Sequence, residues 1–552
     1  MAERSFDRKR LHRPSATLTR LKATIRRMRS LPFADLPPET PLSAWHKALI
    51  GDSQTSSERY LTALARRAFL TLWSYPNVFT DEGRSKGKGD GKELCDLLVV
   101  FGNDILIFSD KQCEFKPCAD INVAWARWYK RAIEKSANQL AGAKSWIIRY
   151  SNRIYLDRQC EYRLPISLPE LKNSRIHLIA VAKGAAEHAA KYWQEKAREL
   201  AEVGELFESK SGPSSGSLMI RTNIEGAEHK TTPFQVGWPL GRAHMVHVFD
   251  EETLDIVLGE LDTLPDFILY LRKKEDFLRM EPSVAIIPGE EDLLACYLSS
   301  LVYGSVGPKF PDVPAEASFL LGEGEWKEIR GSKQYRSRKQ ANRVSYLWDE
   351  LIEFQTSHIL AGSSGFLGSS NLMDGLIASA QQEAILRKMA EEPRVIRRTL
   401  GAAVDRARKV KKKGARFTST IFGRRDSARA YVVMTLAKPP DMSYAAYREH
   451  RQHQLMIYCE GCKLKNQQLK EVLGIAMEPY STKTISVDFL LMVVRDENLV
   501  AESVEIIQQL LKDQGMWQSD SMKWHATSIS EFPDGPPLWR KVWDALFRGE
   551  SS

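Results

Sequence analysis

A chain of 552 residues exceeds what a single hydrophobic core organises, so roughly two to four domains are expected. Its 43% apolar and 27% charged residues suit a folded globular protein and exclude a disordered one. No window approaches the ~18 uncharged apolar residues of a membrane span, and seven scattered cysteines do not form a disulfide framework, so a reduced, cytoplasmic protein is expected.

The net charge of +9 is concentrated at the N-terminus, where the bases from Arg4 to Arg29 are opposed only by Glu3 and Asp7. Such an arm suits phosphate contact, a solvated helix or an organelle presequence. Leu36-Pro37-Pro38 and Pro41 then break any helix. Ser57 is read as the cap of a helix over Glu58 to Trp73, with Leu61, Leu64, Ala65, Ala68 and Leu72 on one face. After a Gly/Lys-rich loop, Leu94 to Phe101 and Ile105 to Ser109 read as strands joined at Gly102-Asn103-Asp104. A helix over Trp125 to Ile147 follows, then a strand over Ile176 to Val181 and a helix over Ala185 to Leu200. A strand over His244 to Phe249 precedes helical stretches to about Met280.

The chemistry is concentrated in the two apolar strands. Asp96 stands at the mouth of one, and Ser109-Asp110-Lys111 ends the next. Hydrolysis of a phosphodiester requires a hard cation on oxygen ligands and a group that orients or deprotonates water. Adjacent strands can present both on one face, and a preceding helix can add a carboxylate. Here the segment resembles the PD-(D/E)XK nuclease superfamily, the fold of many restriction and repair endonucleases, whose core runs helix, strand, strand, helix, strand. The resemblance covers about 100 to 130 residues. It implies a metal site of Asp96, Asp110 and Glu58 binding Mg2+ or Mn2+, with Lys111 at the catalytic lysine and Gln139 in the following helix. Ser109 occupies the place of the second acid, two residues before Lys111. Alternation of side chains makes the turn decisive: a two-residue turn groups Asp96 with Ser109 and Lys111, whereas a three-residue turn groups it with Asp110. The missing acid must then come from Asp110, Glu58 or Glu93.

Arg127, Lys130 and Arg131 alternate with Trp125, Trp128 and Tyr129, a pattern for nucleic-acid stacking or for a helix with an aromatic core face. Arg336, Arg338 and Lys339, and separately Lys411, Lys412 and Lys413, form basic clusters suited to a nucleic-acid backbone. His450, His453, Cys459 and Cys462 have an unusual spacing for zinc, and Gly362-Ser363-Ser364-Gly365 lacks the lysine of a phosphate loop.

The fold expected is α/β: a restriction-endonuclease-like mixed sheet with helices on both faces, then a mainly helical region and a small C-terminal α/β unit, perceived as ferredoxin-like. The domains are read as a basic arm (1–45), a nuclease-like domain (46–280), a helical basic region (281–425) and the C-terminal unit (426–552). The function expected is a metal-dependent endonuclease, DNA favoured, in restriction or antiviral defence. Its partners are nucleic acid and a protein activator or second copy, without a membrane. The alternatives are a catalytically inactive nucleic-acid-binding scaffold and an effector silent until a partner binds its C-terminal region.

Overall fold

The computed structural model describes residues 55–533, except 86, 88, 203–215, 281–283, 303–306, 315, 361–381, 410–415, 423–427, 481–485, 494–500 and 518–529. The basic arm, Lys411, Lys412, Lys413 and the stretch 362–365 therefore lie outside the described residues. The chain forms two compact units. The larger comprises Leu36–Arg343, Leu351–Val395 and Ile529–Ser552, and the smaller includes Val344–Glu350 and Ile396–Ser528.

In the larger unit, helix α1 (Ser56–Phe69) begins at Thr55. The Thr55 hydroxyl accepts from the Glu58 amide, and the Glu58 carboxylate accepts from the Thr55 amide. This reciprocal cap satisfies two amides that the helix leaves open. Strand β1 (Ser74–Thr80) follows, in a stretch where Pro76 and Asn77 read as breakers. It forms an edge of the sheet, where proline is tolerated. Strands β2 (Lys92–Phe101) and β3 (Asp104–Gln112) form a hairpin in which Phe101 pairs with Asp104. Only Gly102 and Asn103 make the turn, and Gly102 has a left-handed φ of 58°.

Helix α2 (Ile121–Tyr129), a π turn (Lys130–Glu134) and helix α3 (Lys135–Arg149) fill the place of the single helix expected there. Strand β4 (Arg175–Lys183) lies parallel to β3. Next come α4 (Ala186–Glu202), β5 (Met219–Glu225), β6 (Gln235–Trp238) and β7 (Val246–Phe249). Helices α5 (Glu251–Glu260) and α6 (Leu264–Met280) complete this part. The mixed sheet has the order β1-β2-β3-β4-β7.

Both of its faces are covered. Leu98, Val100, Ile105, Ile107 and Ala180 pack in one core with Ala137, Leu140 and Ile147 of α3. On the other face, Phe69 of α1 meets Phe108 and Phe267, and Phe249 meets Phe267 of α6. β8 (Val284–Ile287), α7 (Glu290–Val302) and β9 (Ser318–Leu320) follow, and the second sheet has the order β6-β5-β8-β9. After α8 (Glu325–Gly331), helix α9 (Lys333–Asn342) turns Arg338 into the interior. There Arg338 pairs with Glu260 at 2.7 Å and Glu531 at 2.8 Å.

Helices α10 (Tyr346–Leu360) and α11 (Arg394–Arg408) carry the chain between units. The smaller unit adds β10 (Arg416–Phe422), β11 (Arg429–Leu436), α12 (Tyr444–Lys465), β12 (Glu471–Met477), β13 (Val487–Val493) and α13 (Ala501–Asp513). Its sheet order is sequential, β10-β11-β12-β13, with only β11 and β12 parallel. The sequence of elements is thus ββαββα, which corrects the ferredoxin-like expectation of βαββαβ. Strand β10, concealed in a basic stretch, makes the difference. Helix α12 comes so close to β12 that a Cβ at Gly474 would lie 2.8 Å from Cys459 Sγ. Cys459 and Cys462 belong to this apolar core, so the zinc reading of that pair finds no support in their packing.

Two adjacent isoleucines test the packing of α3, since Ile147 is fully buried and Ile148 is 50% exposed. Ile147→Ala is expected to cost about 2–5 kcal/mol of stability in denaturant unfolding. Ile148→Ala is expected to stay within about 0.5 kcal/mol of the parent protein.

Candidate active site

Strand pairing places the candidate residues. The β2–β3 ladder runs from Phe101–Asp104 to Leu97–Phe108 and stops there. Side chains alternate along a strand, so Asp96, one step beyond Leu97, shares a face with Ser109 and Lys111. Asp110 takes the opposite face. On the other flank of β2, Pro76 pairs with Leu97 and Val78 with Cys95, leaving Asn77 opposite Asp96 with a φ of 45°. A register shift follows at once between Val78 and Phe79. The β2–β3 ladder therefore ends beside Asp96, while on the other side β1 continues to Thr80–Lys92 with an irregularity.

Asp96 is buried, 4% exposed, at this opening. Its Oδ2 accepts from the Asp110 backbone amide, which the interrupted ladder leaves available. The Lys111 ammonium lies 3.5 Å from the same oxygen. Ser109, at the acid position of the resemblance, donates its hydroxyl to Gln139 Oε1 at 3.4 Å. The helix after the hairpin thus does meet this face. Glu58 reaches it from α1, and its Oε2 accepts from Asn77 Nδ2 at 3.1 Å.

Asp110 does not join this group. It accepts from the Ser57 hydroxyl at 2.5 Å and pairs with Lys183 at 3.1 Å on the far face. Its expected role as a metal ligand alongside Asp96 is corrected by the two-residue turn, which sets the two carboxylates on opposite sides. Glu93 brings the additional carboxylate instead. Desolvation of its carboxyl, and then the charges of Asp96 and Glu58, push its pKa up to about 7 against the pull of Lys111. The residue as a whole still has surface open to solvent. Desolvation also raises the pKa of Asp96, an effect opposed by Lys111 and by the Asp110 amide. Carboxylates that resist ionisation together have the electrostatics of a cation site.

Comparison with protein-family models, curated proteins and solved structures returned no match.

The basic residues divide by environment. Arg127, Lys130 and Arg131 are exposed. Their aromatic neighbours Trp125, Trp128 and Tyr129 are buried with Phe115 and Phe234, so these rings form core and no stacking platform. Arg336 is exposed, whereas Arg338 is buried in its ion pairs. Lys339 lies 3.1 Å from Glu260. The phosphate-binding expectation for Arg338 is corrected accordingly, because Glu260 and Glu531 hold it in the interior, while Lys339 remains partly exposed beside Glu260.

Sequence reasoning missed a second polar group. Among the described residues, one set of three metal-ligand side chains brings its donor atoms within 4.8 Å of one another: His177, His247 and Glu275. The carboxylates around Asp96 are less tightly gathered. The only sequence signal was a single histidine inside each of two apolar strand runs, which by itself reads as core.

Glu93 gives the opening a measurable pH signature. Between pH 4.5, the ordinary carboxyl value, and about 7, the folded chain retains a proton that the unfolded chain has released. Without divalent cations, stability is therefore expected to fall as pH rises through this window. Glu93→Gln is expected to flatten that part of the melting-temperature profile.

Proposed function

We propose that the opening around Asp96 is the metal-dependent phosphodiesterase centre of a nuclease resembling the PD-(D/E)XK superfamily. The observation that supports this reading best is the convergence of Asp96 and Lys111 on one sheet face, joined by Glu58 from the preceding helix. The succession α1, β2, β3, α3, β4 contains the helix, strand, strand, helix, strand order of that family's core, with β1 as an added edge. Gln139 meets the same face from α3.

Asp96, Glu93 and Glu58 offer hard oxygen donors, which fit Mg2+ or Mn2+. Such a cation would supply charge stabilisation to a phosphodiester and acidify a bound water. Glu58 would have to leave its capping bond, and Glu93 its proton, to take part. Lys111 would hold the attacking water or pair with the developing negative charge on the phosphoryl oxygens. Water forms the new P–O bond, and the leaving oxygen departs with the electrons of the old one. DNA is the favoured substrate, and exposed Arg127, Lys130 and Arg131 are candidates for its backbone.

A second reading has its own support. Ser109 stands where an acid is expected and is engaged with Gln139. Together with the readily protonated Glu93, this favours a nucleic-acid-binding relative that has lost catalysis.

Cleavage of plasmid, linear and single-stranded DNA and of RNA with Mg2+ or Mn2+ tests the proposal. Asp96→Asn and Lys111→Ala are each expected to lower the rate by about 100-fold or more. Asp110→Asn is expected to lower the melting temperature, because it leaves Lys183 with a weaker partner, while cleavage stays within a few-fold. Binding of nucleic acid without metal-dependent cutting would support the second reading instead.

A further inference from the structure

At the opposite end of the five-stranded sheet, on the face turned toward α6, three side chains converge on one point. His177 comes from β4, His247 from β7 and Glu275 from α6, and none of the three has a near neighbour in sequence among the others. His177 Nδ1 lies 3.0 Å from Glu275 Oε1, and His247 Nε2 lies 3.1 Å from the same oxygen. Both histidines are fully buried.

We propose that His177, His247 and Glu275 form a zinc-binding site with three protein ligands, distinct from the carboxylate opening around Asp96. The donor set and its spacing carry the proposal. Two imidazole nitrogens and one carboxylate oxygen suit zinc, whose tetrahedral ligands at about 2.0–2.1 Å stand about 3.3–3.4 Å apart. The two nitrogen-to-carboxylate separations need to widen by only a few tenths of an ångström to admit the ion, and all three donor atoms lie within 4.8 Å of one another.

The surroundings already resemble a metal site's outer layer. His177 Nε2, the nitrogen turned away from the shared point, lies 3.2 Å from Asp104 Oδ1. Arg272 in turn clamps Asp104 through both of its carboxylate oxygens. A carboxylate behind the distal nitrogen fixes a metal-binding imidazole in tautomer and orientation. Arg175 holds the other oxygen of Glu275 at 2.7 Å, leaving Oε1 for the shared point. His247 Nδ1 finds no hydrogen-bond partner, so this buried ring makes its polar contact through Nε2 alone. An apolar residue would fill the strand position at lower cost unless Nε2 has a task.

Such an ion would tie two strands to a helix that crosses beneath them. Without an ion, His177 must carry protons on both nitrogens to satisfy Asp104 and Glu275 together. That protonated bridge is the state the experiment must separate from the zinc site.

The test uses the full chain, produced in zinc-supplemented medium and analysed by elemental mass spectrometry. About one zinc per chain is expected, retained in Asp96→Asn and lost from Glu275→Gln and His247→Leu. X-ray absorption at the zinc edge of Asp96→Asn is expected to show two imidazoles in the coordination shell. This measurement decides the matter if the Glu275 and His247 variants do not fold. A zinc-free wild type overturns the proposal, as does an all-oxygen shell or zinc that leaves with Asp96→Asn and stays in Glu275→Gln. None of these results bears on whether the Asp96 opening cleaves nucleic acid.

Discussion

Register in the β2–β3 hairpin decides which groups Asp96 faces. Because side chains alternate along each strand, a turn longer by one residue would exchange the groups that Asp96 faces. Gly102 adopts the left-handed backbone that a two-residue turn requires, and Phe101 pairs with Asp104. From that pairing it follows that Asp96 meets Lys111 and that Asp110 turns toward Ser57 and Lys183. The β3–β4 pairing separately sets Asp104 on the face where His177 lies, and the β4–β7 pairing brings His247 beside it.

These groups use buried charge in different ways. Around Asp96 the carboxylates outnumber the single lysine, and burial, reinforced at Glu93 by the neighbouring acids, raises the pKa of Glu93 and of Asp96. At the other end, Asp104 and Glu275 are each matched by an arginine. A charge removed from water needs such a partner, and at Glu275 the arginine takes one oxygen while the other faces the two imidazoles. The Arg338–Glu260 and Arg397–Asp349 pairs, at 2.7 Å each, follow the matched pattern and serve architecture.

Much of the larger unit was legible because its periodicities are strong. The α1 stripe from Leu61 to Ala68 and the apolar runs of β2, β3 and β4 correspond to elements in the structure. Strand β1 was not legible, since Pro76 and Asn77 are turn residues tolerated here by an edge position. The cap lies at Thr55 rather than Ser57, whose hydroxyl is engaged with Asp110. Asp96, Lys111 and Gln139 are named through the family resemblance, and strand alternation with the position of α3 brings them to one face. The misplacement of Asp110 arose from a turn whose length the letters Gly-Asn-Asp leave open. His177 and His247 meet only through strand pairing between distant segments, and no local pattern announces that.

The ion pairs of Arg338 have a consequence for how this protein can be divided. Its guanidinium is shared between Glu260, which precedes the smaller unit in the chain, and Glu531, which follows it. Phe532 packs beside that guanidinium and is itself buried. The larger unit is consequently assembled from pieces on both sides of residues 396–528, and its piece around Glu531 is made after them. A ribosome that has completed the described strands and helices of that unit still has to deliver Glu531 before that arginine is fully neutralised. A fragment ending at Arg343 would expose the void left by Phe532 and half of an ionic clasp. Proteolytic trimming near residue 530 would therefore be felt hundreds of residues upstream, at Glu260, in a part of the chain the protease never touched.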